Sequence, residues 1–237
     1  MDNNNFLTAE ALAKLREDLS DAWAGQIPRD IEEGWSVSSV DFAEVIAVCP
    51  PLQLKAGWKL QAYQYVMGRN GHALLFAVPE EQTLPEPANP EDNNAPLIPV
   101  FASSNFMEIV QGDGSPYSYM VASIFAREMS EFGKFGHGGN WIAYHILEDD
   151  PWQNSFEVRV GSDMSMDESE WTLRVPKPSS WKPSVMVNPE AIITRFYTFC
   201  GLGMQKIVSY TDTYIAGNYQ PQIGSEVIAT GPRGYVW

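Results

Sequence analysis

No helix or central strand can run through residues 79–99. That segment holds six prolines, five acids and three asparagines. Proline lacks a backbone donor and clashes with the preceding helical turn, and it is confined to the edges of sheets. The segment has no apolar periodicity, so it reads as an exposed, extended loop. Residues before it carry one convincing helix and three strands, a small core for independent folding. The expectation is therefore a single domain, 1–237, with a long exposed acidic Pro-rich loop at 79–99. A split into 1–78 and 100–237 is the alternative.

Around this interruption the pattern is mostly strand. Residues 58–67 and 72–78 flank Arg69-Asn70-Gly71, and Asn-Gly is the strongest short hairpin signal. Residues 42–48, 106–110, 141–147, 156–160, 171–175, 204–210 and 226–229 are further strand candidates. Three helices interrupt them. The first, 9–24, has Thr8 as cap, a stripe of Leu12, Leu15, Leu19 and Trp23, and Gly25 as a left-handed terminator. The second, 116–132, begins with Ser115 as cap and Pro116 in the first turn, and ends at Gly133. The third, 189–200, begins Asn188-Pro189-Glu190, places Ile192, Phe196 and Phe199 on one face, and ends at Gly201. Its content of Ile, Thr, Phe and Tyr also suits a strand. Consecutive strands with few helices give an α+β class: a mainly antiparallel sheet with about three helices packed on it.

Charge narrows the function. The chain has 15 Lys+Arg against 30 Asp+Glu, a net charge of −15, and its charged content is 19%, below the roughly 25% of an average soluble domain. Cations have been lost rather than anions gained. Nucleic acid and anionic membrane surfaces both require Lys and Arg, so neither is expected as a partner. No Lys or Arg occurs from Asn70 through Ala126, a stretch with seven acids. The residues after Glu170 hold only three acids and six basic residues. Two cysteines exclude a disulfide framework and a four-cysteine zinc site. The first residues lack the basic start and apolar run of a secretory leader, so a cytoplasmic location is expected.

Candidate sites are few. Residues 106–116 read strand, Gly112-Asp113-Gly114 turn, helix start, the geometry that cradles phosphates. Asp113 and the missing cations oppose an anion there; Glu108 and Asp113 are better placed to face a cation. His137 in Gly136-His137-Gly138-Gly139-Asn140, with His145 and Glu148, forms a weak metal set of two imidazoles and a carboxylate. Cys200 is a thiol nucleophile candidate, but a helix C-terminus at that position raises its pKa. Asp163 to Glu170 has calcium-ligand chemistry without the loop framework. Trp181, in a loop between Pro178 and Pro183, is the aromatic least easily placed in a core. No cofactor motif occurs.

The expected function is a non-catalytic binding or accessory protein, such as an inhibitor or immunity-like antagonist that recognises a basic protein surface. Glu86, Glu91 and Asp92 of the Pro-rich loop, and Trp181, are its candidate binding residues. Acidity that merely maintains solubility is the plainer explanation. A hydrolase using His137, His145 and Cys200 is the alternative from another class. A carbohydrate-binding module using the C-terminal aromatics is the third.

Overall fold

Thr8 accepts a hydrogen bond from the Ala11 N–H and starts α1 (Ala9–Ala24). Leu12, Leu15 and Leu19 are buried, as their spacing requires. Gly25 does not turn left-handed; its N–H continues the helical pattern to the Asp21 carbonyl. The computed structural model describes residues 8–28, 32–92, 94–135, 141–153 and 166–235. They fall into two compact units, each discontinuous in sequence. One comprises Leu15–Trp141 with Gly217–Gln220; the other comprises Met1–Lys14, Ile142–Ala216 and Pro221–Trp237.

The first unit contains β1 (Gly34–Val37), α2 (Phe42–Ala47), β2 (Leu52–Leu54), β3 (Trp58–Met67), β4 (Asn70–Pro79), β5 (Val110–Gly112) and α3 (Pro116–Ser130). Strands β1, β3 and β4 form an antiparallel sheet in that order, and β2 pairs with β5. The expected hairpin is present, but its turn is Gly68-Arg69, because Met67 pairs with Asn70. Residues 42–48, expected as a strand, form the short helix α2. Asp41 caps it by accepting from the Ala43 N–H, and Phe42, Val45 and Ile46 bury one face. Residues 106–109 form a 3₁₀ turn, leaving only Val110–Gly112 as strand. α3 follows the expected plan, with Ser115 accepting from the Ser118 N–H and Pro116 in the first turn.

The second unit contains β6 (Tyr144–Leu147), β7 (Thr172–Leu173), β8 (Ser184–Val187), β9 (Ile192–Cys200), β10 (Met204–Tyr214) and β11 (Gln222–Arg233). They form one antiparallel sheet of order β6-β9-β10-β11-β7, with β8 also on β9. The helix expected at 189–200 is replaced here by β9. Asn188 does cap nearby N–H groups, those of Glu190 and Ala191, but the resulting turn joins β8 to β9 as a hairpin. The run Ile192 to Cys200 is β-branched and aromatic, and most of it is buried on both faces, which erases the alternation that marks a half-buried strand. Leu147, Trp171, Trp181, Tyr197, Phe199, Ile207, Ile228 and Ala229 form the core on one face of this sheet. The α+β class with mainly antiparallel pairing thus holds, with the third helix at Phe42–Ala47. The strand expected at 156–160 lies outside the described residues.

Candidate functional site

Beyond Pro79, which ends β4, the described residues of the Pro-rich segment form neither helix nor strand, and the stretch around Leu84 lies along one face of the β1-β3-β4 sheet. Trp35, Tyr63, Phe76 and Val78 line that face, and Leu84 from the segment is buried among them at 3% exposure. Three hydrogen bonds fix the same stretch. The Tyr63 hydroxyl donates to the Pro85 carbonyl at 2.9 Å, the Leu84 N–H donates to Gln61 Oε1 at 3.0 Å, and the Trp35 N–H donates to the Pro90 carbonyl at 2.7 Å. The last contact requires glycine at position 34. Its φ is +102°, and a Cβ there would sit 2.3 Å from the Pro90 oxygen. Downstream, Phe101 and Ala102 pack on the same core, and Ser103 pairs with Ala77. The segment is a strap with defined anchors rather than a free loop.

Between the anchors most of the described side chains face solvent. Glu86, Glu91 and Asp92 are exposed, and none of them forms an ion pair among the described residues. Leu97, Ile98 and Val100 follow at 93%, 52% and 105% exposure. Sequence reasoning placed the acids but missed these three, because it weighed apolar periods of two and 3.6 residues. The available signal was the spacing Pro96-Leu97-Ile98-Pro99.

The Gly112–Gly114 turn has the expected strand-turn-helix geometry, and a tyrosine fills it. The Tyr219 hydroxyl accepts from the Gly114 N–H at 2.9 Å and meets Ser118 Oγ at 2.6 Å. Its ring stacks on Tyr119 at 4.5 Å and presses on Gly112, where a Cβ would lie 2.2 Å from it. Burial pushes the Tyr219 phenol above its ordinary pKa. Asp113 accepts from the Ser115 N–H at 2.9 Å, and hydrogen bonding to Ser115 holds its carboxyl below the usual range. The Glu108 carbonyl accepts from Lys55 Nζ. At this helix start the Gly114, Ser115 and Ser118 N–H groups already have acceptors.

His145 and Cys200 do not converge. His145 pairs with Phe199 and Tyr144 with Cys200, so the imidazole and the thiol leave opposite faces of the sheet. Burial raises the Cys200 thiol, and it pushes Cys49 up to about 12. Glu148 caps α1 by accepting from the Ala9 N–H at 3.0 Å. His137 lies outside the described residues. Among those residues no group of three or more His, Cys, Asp and Glu is arranged to hold a metal ion. Trp181 is 6% exposed, edge-on to Trp152 and Tyr197, so it is a core residue rather than a surface platform. Lys177 sits over Trp152 and pairs with Asp150 and with Glu168 of the acidic stretch.

Two further arrangements escaped the sequence. Arg16 pairs with Glu128 at 2.5 Å, donates to the Trp141 carbonyl and lies 4.3 Å from the Trp141 ring centroid. Burial raises Glu128 above the usual carboxylate range, against the pull of Arg16. This is a buried ionic knot with its partners committed. A groove of about 450 Å³ is lined by Lys55, Trp58, Lys59, Gln61, Asp41 and Glu80. Two lysines and two carboxylates are in its lining, so the lining carries no net formal charge.

No family model matches the chain, and no curated protein or solved structure shows significant similarity to it. Among the described residues no helix is long and apolar enough to cross a membrane.

Proposed function

We propose that this chain is a non-catalytic binding protein whose acidic strap recognises a basic protein surface, as an inhibitor or immunity-like antagonist does. The observation that carries this reading is the state of the strap. Glu86, Glu91 and Asp92 are exposed and without ion pairs among the described residues, while Leu84, Pro85 and Pro90 are fixed to the sheet beneath. Carboxylates without ion pairs among the described residues, one of them (Asp92) held by the Asn94 N–H and side-chain amide, sit on an ordered backbone and present a charge pattern whose entropy cost on binding is already partly met. The absence of Lys and Arg from Asn70 through Ala126 keeps neighbouring cations from neutralising it. Complementary charge then speeds encounter and selects the partner.

The test is affinity capture from the source cell with the native chain and with a Glu86→Gln/Glu91→Gln/Asp92→Asn variant, at low and at high salt. A partner of high isoelectric point, released by salt and lost with the variant, is the expected result. Capture that ignores both salt and the substitutions overturns the proposal.

A further inference from the structure

Strand β11 changes character along its length. At Ile228 and Ala229 it is 4% and 0% exposed, and β7 pairs there, Leu173 with Ala229 and Thr172 with Thr230. From Gln222 to Val227 every residue but Gly224 is exposed, with Ile223 at 57% and Val227 at 38%. The sequence after β7 explains the change. The Arg174 N–H still reaches the Ile228 carbonyl, but the run continues Val175-Pro176-Lys177-Pro178, and proline has no N–H to extend a ladder. Among the described residues, no strand therefore lies on the side of Gln222–Val227 that faces away from β10.

Such an edge is a row of backbone donors and acceptors, and what satisfies it is another extended backbone. Edges are commonly blunted by Lys, by Pro or by a bulge. Residues 222–227 contain neither Lys nor Pro, their register with Val208–Thr213 is unbroken, and their one charge is Glu226.

Two observations select a second copy of this chain as the partner strand. The first is spacing. Two β11 strands run antiparallel about a two-fold axis at Ser225 set Ile223 of each copy opposite Val227 of the other, on the face where Val227 already stands opposite Val208. The same register sets each Glu226 opposite Gly224, which has no side chain, whereas an axis at Glu226 would oppose two carboxylates. The second is charge. Residues 1–170 hold 27 acids and 9 basic residues, and those after Glu170 hold three acids and six basic residues. Chains of net charge −15 repel one another least through the part that carries β11. Pro221 at one end and the bonds to Ile228 at the other confine the shared ladder to Ile223–Val227, an area too small for a permanent dimer.

We infer that the free edge of β11 is a homodimerisation edge. Ile223–Val227 of two copies pair antiparallel about Ser225 and form a weak, concentration-dependent dimer. This edge lies outside the acidic strap, so its test leaves the charge reading untouched.

Sedimentation velocity over a concentration series of the full chain tests it, with the native chain beside Ile223→Lys/Val227→Lys. Oxidative cross-linking of Ser225→Cys and of Gln222→Cys tests the register; the native Cys49 and Cys200 are buried and leave the introduced thiol as the accessible one. A reversible monomer–dimer equilibrium is expected, weakened about tenfold or more by the lysine pair. Ser225→Cys should link two copies, because directly opposed residues have Cα atoms about 4.5–5.5 Å apart, within disulfide reach. Gln222→Cys should not, since this register holds the two copies of position 222 far apart. Both lysines replace exposed residues, and an unchanged urea midpoint separates lost pairing from lost folding. A chain that stays monomeric throughout, a dimer indifferent to the lysine pair, or cross-linking as fast through Gln222→Cys as through Ser225→Cys overturns the inference.

Discussion

Leu84 and Leu97 occupy one Pro-rich strap and have opposite fates. The first is 3% exposed among Trp35, Tyr63, Phe76 and Val78, and the second is 93% exposed beside a proline. The difference lies in what the neighbouring backbone can reach. Around Leu84, the Tyr63 hydroxyl and the Gln61 amide oxygen satisfy the strap's polar groups, so a leucine there can be buried without orphaning its own main chain. Around Leu97, Pro96 and Pro99 offer no N–H to bond, and residues 95–99 join neither helix nor strand. One half of the strap is thus part of the core, and the other half is displayed by it.

That contrast can be broken experimentally. Leu84→Ala removes buried methyl groups and is expected to cost about 2–5 kcal/mol, whereas Leu97→Ala stays within about 0.5 kcal/mol; urea unfolding of both variants measures the difference. Equal costs would mean that Leu97 is buried in solution. Gly34→Ala places a Cβ against the Pro90 oxygen at a φ of +102°, and a loss of about 1–3 kcal/mol is expected in the same assay. Tyr63→Phe deletes the bond to Pro85 and is expected to cost about 1 kcal/mol.

The same tyrosine gives a pH signature. Burial, and then the nearby Glu86 carboxylate, raise the Tyr63 phenol above its ordinary 10.0. The folded chain therefore keeps this proton after the unfolded chain has lost it. Its stability contribution is full below pH 10.0 and is lost as pH rises through the raised value. Unfolding curves of Tyr63→Phe should lack that alkaline loss, and Glu86→Gln should shrink it. The smallest effect is expected from Glu91→Gln/Asp92→Asn. Exposed and without ion pairs among the described residues, these acids should change stability by less than about 0.5 kcal/mol while slowing partner association in stopped-flow traces.

Elements whose signals are local were legible in the sequence. Thr8 and Ser115 cap their helices as their chemistry dictates, and the β3–β4 hairpin formed although its turn settled on Gly68-Arg69. What failed was period reading in short or fully buried runs. Phe42, Val45 and Ile46 are β-formers that Asp41 recruits into a helix, and β9 is buried on both faces from Phe196 to Cys200, where its face pattern vanishes. Long-range placement was beyond reach. Nothing near Trp181 foretold Tyr197 and Trp152 against it, and nothing near Arg16 announced Glu128. The acids of the strap were visible from composition; the exposure of Leu97, Ile98 and Val100 was not, because apolar residues between prolines follow neither a helical nor a strand period.

Tyr219 has a consequence for how the molecule is made. Its hydroxyl serves the Gly114 N–H, 105 positions earlier, and Ser118, 101 positions earlier. The Gly114 N–H therefore leaves the ribosome before its acceptor exists. At roughly 5–20 residues per second the tyrosine follows Ser118 by about 5–20 s. Through that interval the Ser115 and Ser118 N–H groups are served locally by Asp113 and Ser115, and the Gly114 N–H alone among these three waits for a partner from the far end of the chain.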